Sequence, residues 1–166
     1  MIMQMLVAGG MPVLASTDRQ PDAMNPRGYF EYAPVRTIAH DQDFLSLARG
    51  KAIKIVVPLI ALIEPSLPYK LIMMRRRIAD VAASQAAMLR HGGHAVPDGM
   101  EPLLAWQLKS TIETLGHIPQ IDLDYELVIA DPERSAKAIA AFVGRDLDVE
   151  AMARTVDRSL AHHYPR

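Results

Sequence analysis

The chain has 166 residues, half of them apolar and 22% charged, and it contains no cysteine. A single domain of this length can bury roughly 70% of its unfolded surface without covalent staples. The missing cysteine excludes a disulfide framework, a thiolate zinc site and a cysteine nucleophile. With 18 Lys and Arg against 19 Asp and Glu the net charge is −1, which removes the electrostatic reason to expect nucleic acid or an anionic membrane as a partner.

In chain order, Ile2 to Ala8 reads as a helix closed by the left-handed freedom of Gly9 and Gly10, with Met1 standing where an N-cap belongs. Pro12 to Arg27 reads as loop, with Ser16-Thr17-Asp18 and then Asp22 and Asn25. The aromatic group Tyr29-Phe30-Glu31-Tyr32 leads into two weak helical patterns, Pro34 to His40 and Asp43 to Ala48. Lys51 to Val57, bounded by Gly50 and Pro58, is predicted as a buried strand, and Tyr69 to Arg75 as a second. Their near-continuous apolar character suits parallel strands covered on both faces. The apolar run from Ile53 to Ile63 is broken by Lys54 and Pro58 and is shorter than the ~20 residues of a membrane span. No signal-peptide pattern opens the chain, so a soluble, cytoplasmic protein is expected.

A helix from Ile78 to Arg90 is predicted to face inward through Ile78, Val81, Ala82, Met88 and Leu89. Another, Asp98 to Leu115, is predicted to do so through Met100, Leu103, Leu104, Leu108, Ile112 and Leu115. Ile121 to Glu126 follows as a third strand. Asp131 then caps a helix that begins with Pro132, points Ala136, Ile139, Ala140 and Val143 inward and stops at Gly144. Asp148 caps a last helix through Ala153. Strands alternating with helices predict an α/β domain over residues 1–166 with a mostly parallel sheet and helices on both sides.

Neither common phosphate-loop signature occurs, Gly-x-x-x-x-Gly-Lys-Ser/Thr or Gly-x-Gly-x-x-Gly. The stretch richest in chemistry is 69–84. Arg75, Arg76 and Arg77 end a strand, where open α/β sheets bind ligands, and Ser84 stands about two turns into the next helix. A guanidinium fork and a hydroxyl so placed can close on one phosphate. The competing reading is that the arginines solvate a strand end and Ser84 packs. His91 with His94, His162 with His163, and His40-Asp41-Gln42-Asp43 read as loop or tail residues rather than ligands. Asp122 and Asp124 alternate on one strand face, as a base or metal ligand or as solvated carboxylates. Tyr29, Phe30 and Tyr32 read as core or interface packing, unless the family resemblance given next makes them the lining of an acceptor cleft; Trp106 reads as covering a neighbouring element or a partner, and the ten methionines as adaptable packing.

Arg76 and Ser84, with Asp80-Val81 between them, resemble the 3′-phosphate-binding segment of sulfotransferases. Other segments resemble a bacterial branch of that family in the same order: 3–13, Asn25-Pro26-Arg27-Gly28-Tyr29-Phe30-Glu31, Asp124-Tyr125-Glu126 with Asp131-Pro132, and 140–144. The resemblance implies a P-loop-like three-layer fold and 3′-phosphoadenosine 5′-phosphosulfate as donor. It further implies an unidentified hydroxyl or amine acceptor, and no metal. On that resemblance Arg76 and Ser84 hold the 3′-phosphate, and Lys54 lies near the transferred group as the catalytic residue.

Departures from the pattern are equally specific. The family's first strand and Pro-x-Ser-Gly-Thr loop have no counterpart before Met1, so an N-terminally truncated domain is expected. The segment Lys54 to Leu59 holds no histidine to serve as the family's general base, and the eukaryotic Arg-Lys-Gly segment is missing. A lost base alone costs about 10²–10⁴-fold in rate. The expectation is therefore a sulfotransferase-family protein, inactive in this form unless the loop is supplied upstream. The alternative is a non-catalytic structural or interaction protein that keeps the fold. Unpaired strand edges around the absent strand lead to the expectation of a homo-oligomer, aggregation or a rearranged sheet.

Overall fold

The computed structural model describes residues 1–16, 21, 22, 25 and 27–157. The expectations for Thr17, Asp18, Pro26 and the His162-His163 pair lie outside the described residues. Six α-helices and four short strands are present among them: α1 (Ile2–Ala8), β1 (Val13–Leu14), β2 (Ala52–Ile53), β3 (Leu71–Arg75), α2 (Ile78–His91), α3 (Met100–Leu115), β4 (Gln120–Asp124), α4 (Tyr125–Ala130), α5 (Pro132–Val143) and α6 (Val149–Arg154). Three 3₁₀ segments, Ala33–Thr37, Asp43–Ala48 and Leu59–Leu62, fill the connection from β1 to β3. The first two coincide with the weak helical patterns of the sequence.

The protein is α/β, and its strands form two separate parallel pairs, β1 with β2 and β3 with β4. Val13 pairs with Ala52, and the longer ladder runs from Leu71 opposite Gln120 to Arg75 opposite Asp124. This corrects three expected elements. The strand expected over 51–57 is only Ala52–Ile53, because β1 offers it a two-residue partner. The segment read as loop contains β1. The strand expected to reach Glu126 stops at Asp124, whose Oδ1 accepts from the amides of Glu126 and Leu127 at 2.9 and 3.0 Å and starts α4.

Two apolar clusters sandwich the strands. On one side Met5 and Leu6 of α1, Leu123 of β4, Val128, Ala136, Ile139, Leu147 and Met152 pack together, with Ala52, Ile72 and Met74 against them. On the other, Val35, Ile38, Phe44, Ile60, Ile63, Leu115 and Ile118 pack, with Ile53 and Leu71 against them. The inward positions expected for α5 are borne out: Ala136 and Ile139 are fully buried, with Ala140 and Val143 half-buried. Those expected for α2 and α3 hold only in part. Met88 and Leu103 are exposed, while Asp80, Ala86 and Thr111 take buried places, because these two outer helices pack largely on each other.

Glycines act differently at each helix end. α1 closes with Gly9 at φ −76°, in the ordinary region, and only Gly10 turns left-handed at φ +86°. Gly9 is needed for space: a Cβ there would lie 2.7 Å from Cγ of the fully buried Met152 of α6. Gly144 stops α5 in the expected left-handed conformation at φ +74°.

Candidate functional site

The three arginines leave β3 toward three different partners. Arg75 Nε donates to Asp122 Oδ1 at 2.9 Å, which ties β3 to β4. Arg77 grips Asp80 with both Nε and Nη2 at 2.8 Å, a bidentate pair that closes the first turn of α2. Asp80 is buried, and its hydrogen bond and charge raise the Arg77 guanidinium above its ordinary value. The Arg76 guanidinium lies over the Tyr125 ring, 4.6 Å from the centroid. Burial raises the Tyr125 phenol, against the opposing charge of Arg76. Arg76 is thus the arginine of the three that meets an aromatic face.

Arg76 and Ser84 stand on one strand–turn–helix unit. α2 begins at Ile78, immediately after the turn, and the half-buried Ser84 follows by six residues, about 9 Å along the axis. No hydrogen bond joins the two side chains among the described residues, and neither lines the two hollows described next. One hollow of about 320 Å³ lies between the start of α2 and α3, against Ile78, Leu108 and Ile112. A second, of about 700 Å³, lies against α5 and α6, with Glu133, Glu150 and Arg154.

Lys54 belongs to a different neighbourhood. Its Nζ donates to the Tyr29 carbonyl at 3.0 Å and lies 3.8 Å from Glu31 Oε1. Burial and the charges of Lys54 and Arg27 together lower the α-amino group of Met1 below its ordinary value. Lys54 thus stands within electrostatic reach of the start of α1, far away in sequence. Arg27 itself pairs with Asp157 at 2.7 Å. Between Tyr29 and Glu31, Phe30 adopts φ +53°, a conformation that costs an L-residue with a bulky side chain about 1–2 kcal/mol. That turn accompanies the presentation of both the Tyr29 carbonyl and the Glu31 carboxylate to Lys54. A phenylalanine gives no sequence signal for a left-handed turn.

Several remaining candidates hold structural contacts. Tyr29 is buried, and its hydroxyl donates to the Asp22 carboxylate at 2.7 Å. Tyr32 packs its ring 5.7 Å from Phe44. Asp122 and Asp124 serve as the ion-pair partner and helix cap described above. His40, His91 and His94 are exposed, and no group of three or more metal-ligating side chains occurs among the described residues. No helix among them is long and apolar enough to cross a membrane. Lys70 was missed from sequence: its Nζ donates to the carbonyls of Phe142 and Val143 at 2.7 and 3.2 Å, closing the end of α5. Comparison with family models, with curated proteins and with solved structures finds no match to this chain.

Proposed function

We propose that this chain is a sulfotransferase-type domain with a P-loop-like ancestry, in which Arg76 and Ser84 grip the 3′-phosphate of an adenosine 3′-phosphate nucleotide. The observation that carries the reading is the β3–turn–α2 unit. It puts a guanidinium at the carboxyl end of a parallel strand and a hydroxyl on the helix that follows, the two donor types a phosphate ester requires. Tyr125 supports it by fixing the plane of that guanidinium before any ligand arrives, which lowers the ordering cost of binding. Lys54 supports it from the other side. Held at the Tyr29 carbonyl and beside Glu31, it is the cation that the resemblance puts near the transferred group, where positive charge stabilises the leaving bridging oxygen. The donor in this reading is 3′-phosphoadenosine 5′-phosphosulfate and the acceptor a hydroxyl or amine. In line with the missing histidine, the chain as it stands binds nucleotide more readily than it turns it over.

Calorimetric titration of the full chain with adenosine 3′,5′-bisphosphate tests the grip. Saturable heat is expected for the parent chain and is lost in the Arg76→Ala, Ser84→Ala double variant. Heat that survives the double variant excludes the assignment. A second reading, a non-catalytic structural or interaction protein, is favoured by one observation: Arg75, Arg76 and Arg77 all make intramolecular contacts that knit β3 to its neighbours. A parent chain that gives no heat selects that reading.

A further inference from the structure

We propose that the turn at Gly50, with the Arg145 guanidinium laid against it, is an anion site that takes the phosphate group of a small soluble phosphate ester. The turn permits close approach. Arg49 stands at φ −55° and ψ 121°, Gly50 at φ +70°, and the Lys51 amide donates to the Ala48 carbonyl at 2.8 Å. Together these make a type II turn, with glycine at the position that requires a positive φ. A Cβ at Gly50 would lie 3.1 Å from Arg145 Nη2. The tip of Arg145, brought from the end of α5, therefore lies where a side chain at position 50 would begin. The Gly50 amide makes no hydrogen bond among the described residues.

Charge decides the ligand. Arg49, Lys51 and Arg145 are exposed, and none of the three makes an ion pair among the described residues. Lys109, Lys137 and Arg154, by contrast, each meet a glutamate one helical turn away. Lys70 adds a fourth cation: its Nζ, on the α5 carbonyls, lies 3.7 Å from the place of a Cβ at Gly144, next to Arg145. Cations gathered without counter-charge repel one another, and a bound anion relieves that repulsion. Two guanidinium groups, an ammonium and an unused backbone N–H are the donors a phosphate group takes. The ligand must be compact, because exposed carboxylates stand close by in sequence at Asp43, Asp146 and Asp148. A nucleic-acid strand or an anionic bilayer laid over the turn would meet them as well. The turn precedes β2 and Lys70 precedes β3, whereas Arg76 follows the carboxyl end of β3. The site is therefore separate from Arg76 and Ser84 and independent of the nucleotide reading.

NMR titration of the full chain with inorganic phosphate tests it, above the second phosphate pKa of about 6 and at constant ionic strength. The Gly50 amide and the Arg145 side-chain N–H are expected to shift together along one saturable curve. Arg145→Ala should weaken the apparent affinity by about tenfold or more, as the loss of a hydrogen bond to a charged group does. Arg90→Ala, which removes an exposed arginine of α2, should leave it unchanged, and so should the Arg76→Ala, Ser84→Ala double variant. Shifts that never saturate, or that chloride reproduces at equal ionic strength, overturn the site. So does an affinity lowered equally by Arg145→Ala and Arg90→Ala. A chain that sediments with phosphatidic-acid vesicles yet shows no saturable shift with phosphate overturns the small-ligand assignment.

Discussion

Arg75, Arg76 and Arg77 leave β3 in succession and meet a strand carboxylate, a phenol ring and a helix carboxylate. The sequence shows three equivalent cations there; which one is held by an aromatic face depends on α4 folding back beside β3, information that lies some fifty residues away. Tyrosines in this layer give a sharper residue-level test. The Tyr69 hydroxyl is sealed from solvent without a hydrogen-bond partner among the described residues. Deleting it in Tyr69→Phe is expected to leave the urea midpoint unchanged or raised, whereas loss of a satisfied buried hydroxyl costs about 1 kcal/mol. Burial raises Tyr69 and outweighs the charge of Arg76 at Tyr125, so both phenols hold their protons more tightly in the folded chain. Their contribution is complete below the ordinary phenol value of about 10 and is lost as pH rises through the raised folded values. Urea midpoints measured on either side of that pH should fall on the alkaline side, and both Tyr69→Phe and Tyr125→Phe should flatten the fall. A slope identical in all three chains would show that neither phenol is linked to folding.

Among the elements, legibility follows the range of the forces that define them. α5 was readable because its cap, its first-turn proline, its inward positions and its terminal glycine all act within a few residues, and Asp131 does accept from the Arg134 amide at 3.0 Å. α3 was readable in extent, but not in which side faces out: Leu103, expected inward, is exposed, and Trp106 is 65% exposed. The strand read through Glu126 failed at a local contest. Tyr125 to Ala130 has the apolar content of a strand, yet the Asp124 cap commits it to helix. That contest predicts the behaviour of Asp124 variants. Asp124→Asn keeps a good N-cap acceptor and should melt within a few tenths of a kcal/mol of the parent, while Asp124→Ala should cost about 0.5–2 kcal/mol. Equal stability of the two variants would show that the Asp124 side chain does not hold the start of α4.

At the scale of the whole molecule, the sandwich of two clusters around parallel strands was legible, since alternation of apolar strands and helices requires a covered sheet. The interruption of that sheet into two pairs is a long-range matter that no local pattern in β2 or β3 records. Closure of the sandwich on the α1 side depends on Gly9, Leu147 and Met152. The Asp148 amide donates to the Gly9 carbonyl at 3.1 Å, so the start of α6 is held directly against the end of α1. Because Gly9 has an ordinary φ, Gly9→Ala carries no backbone strain; its new methyl instead meets Met152 Cγ at 2.7 Å and Sδ at 2.8 Å. Overpacking of this kind costs about 1–3 kcal/mol, and because the two helices close one cluster the loss should appear as a lower midpoint of a single cooperative transition. Met152→Ala alone opens a cavity costing about 2–5 kcal/mol. In the Gly9→Ala background the same truncation removes the clash as well, so the double variant should be less destabilised than the sum of the two singles. Strict additivity in that cycle would mean that α1 and α6 do not meet through this pair, and the packing account of Gly9 would have to be given up.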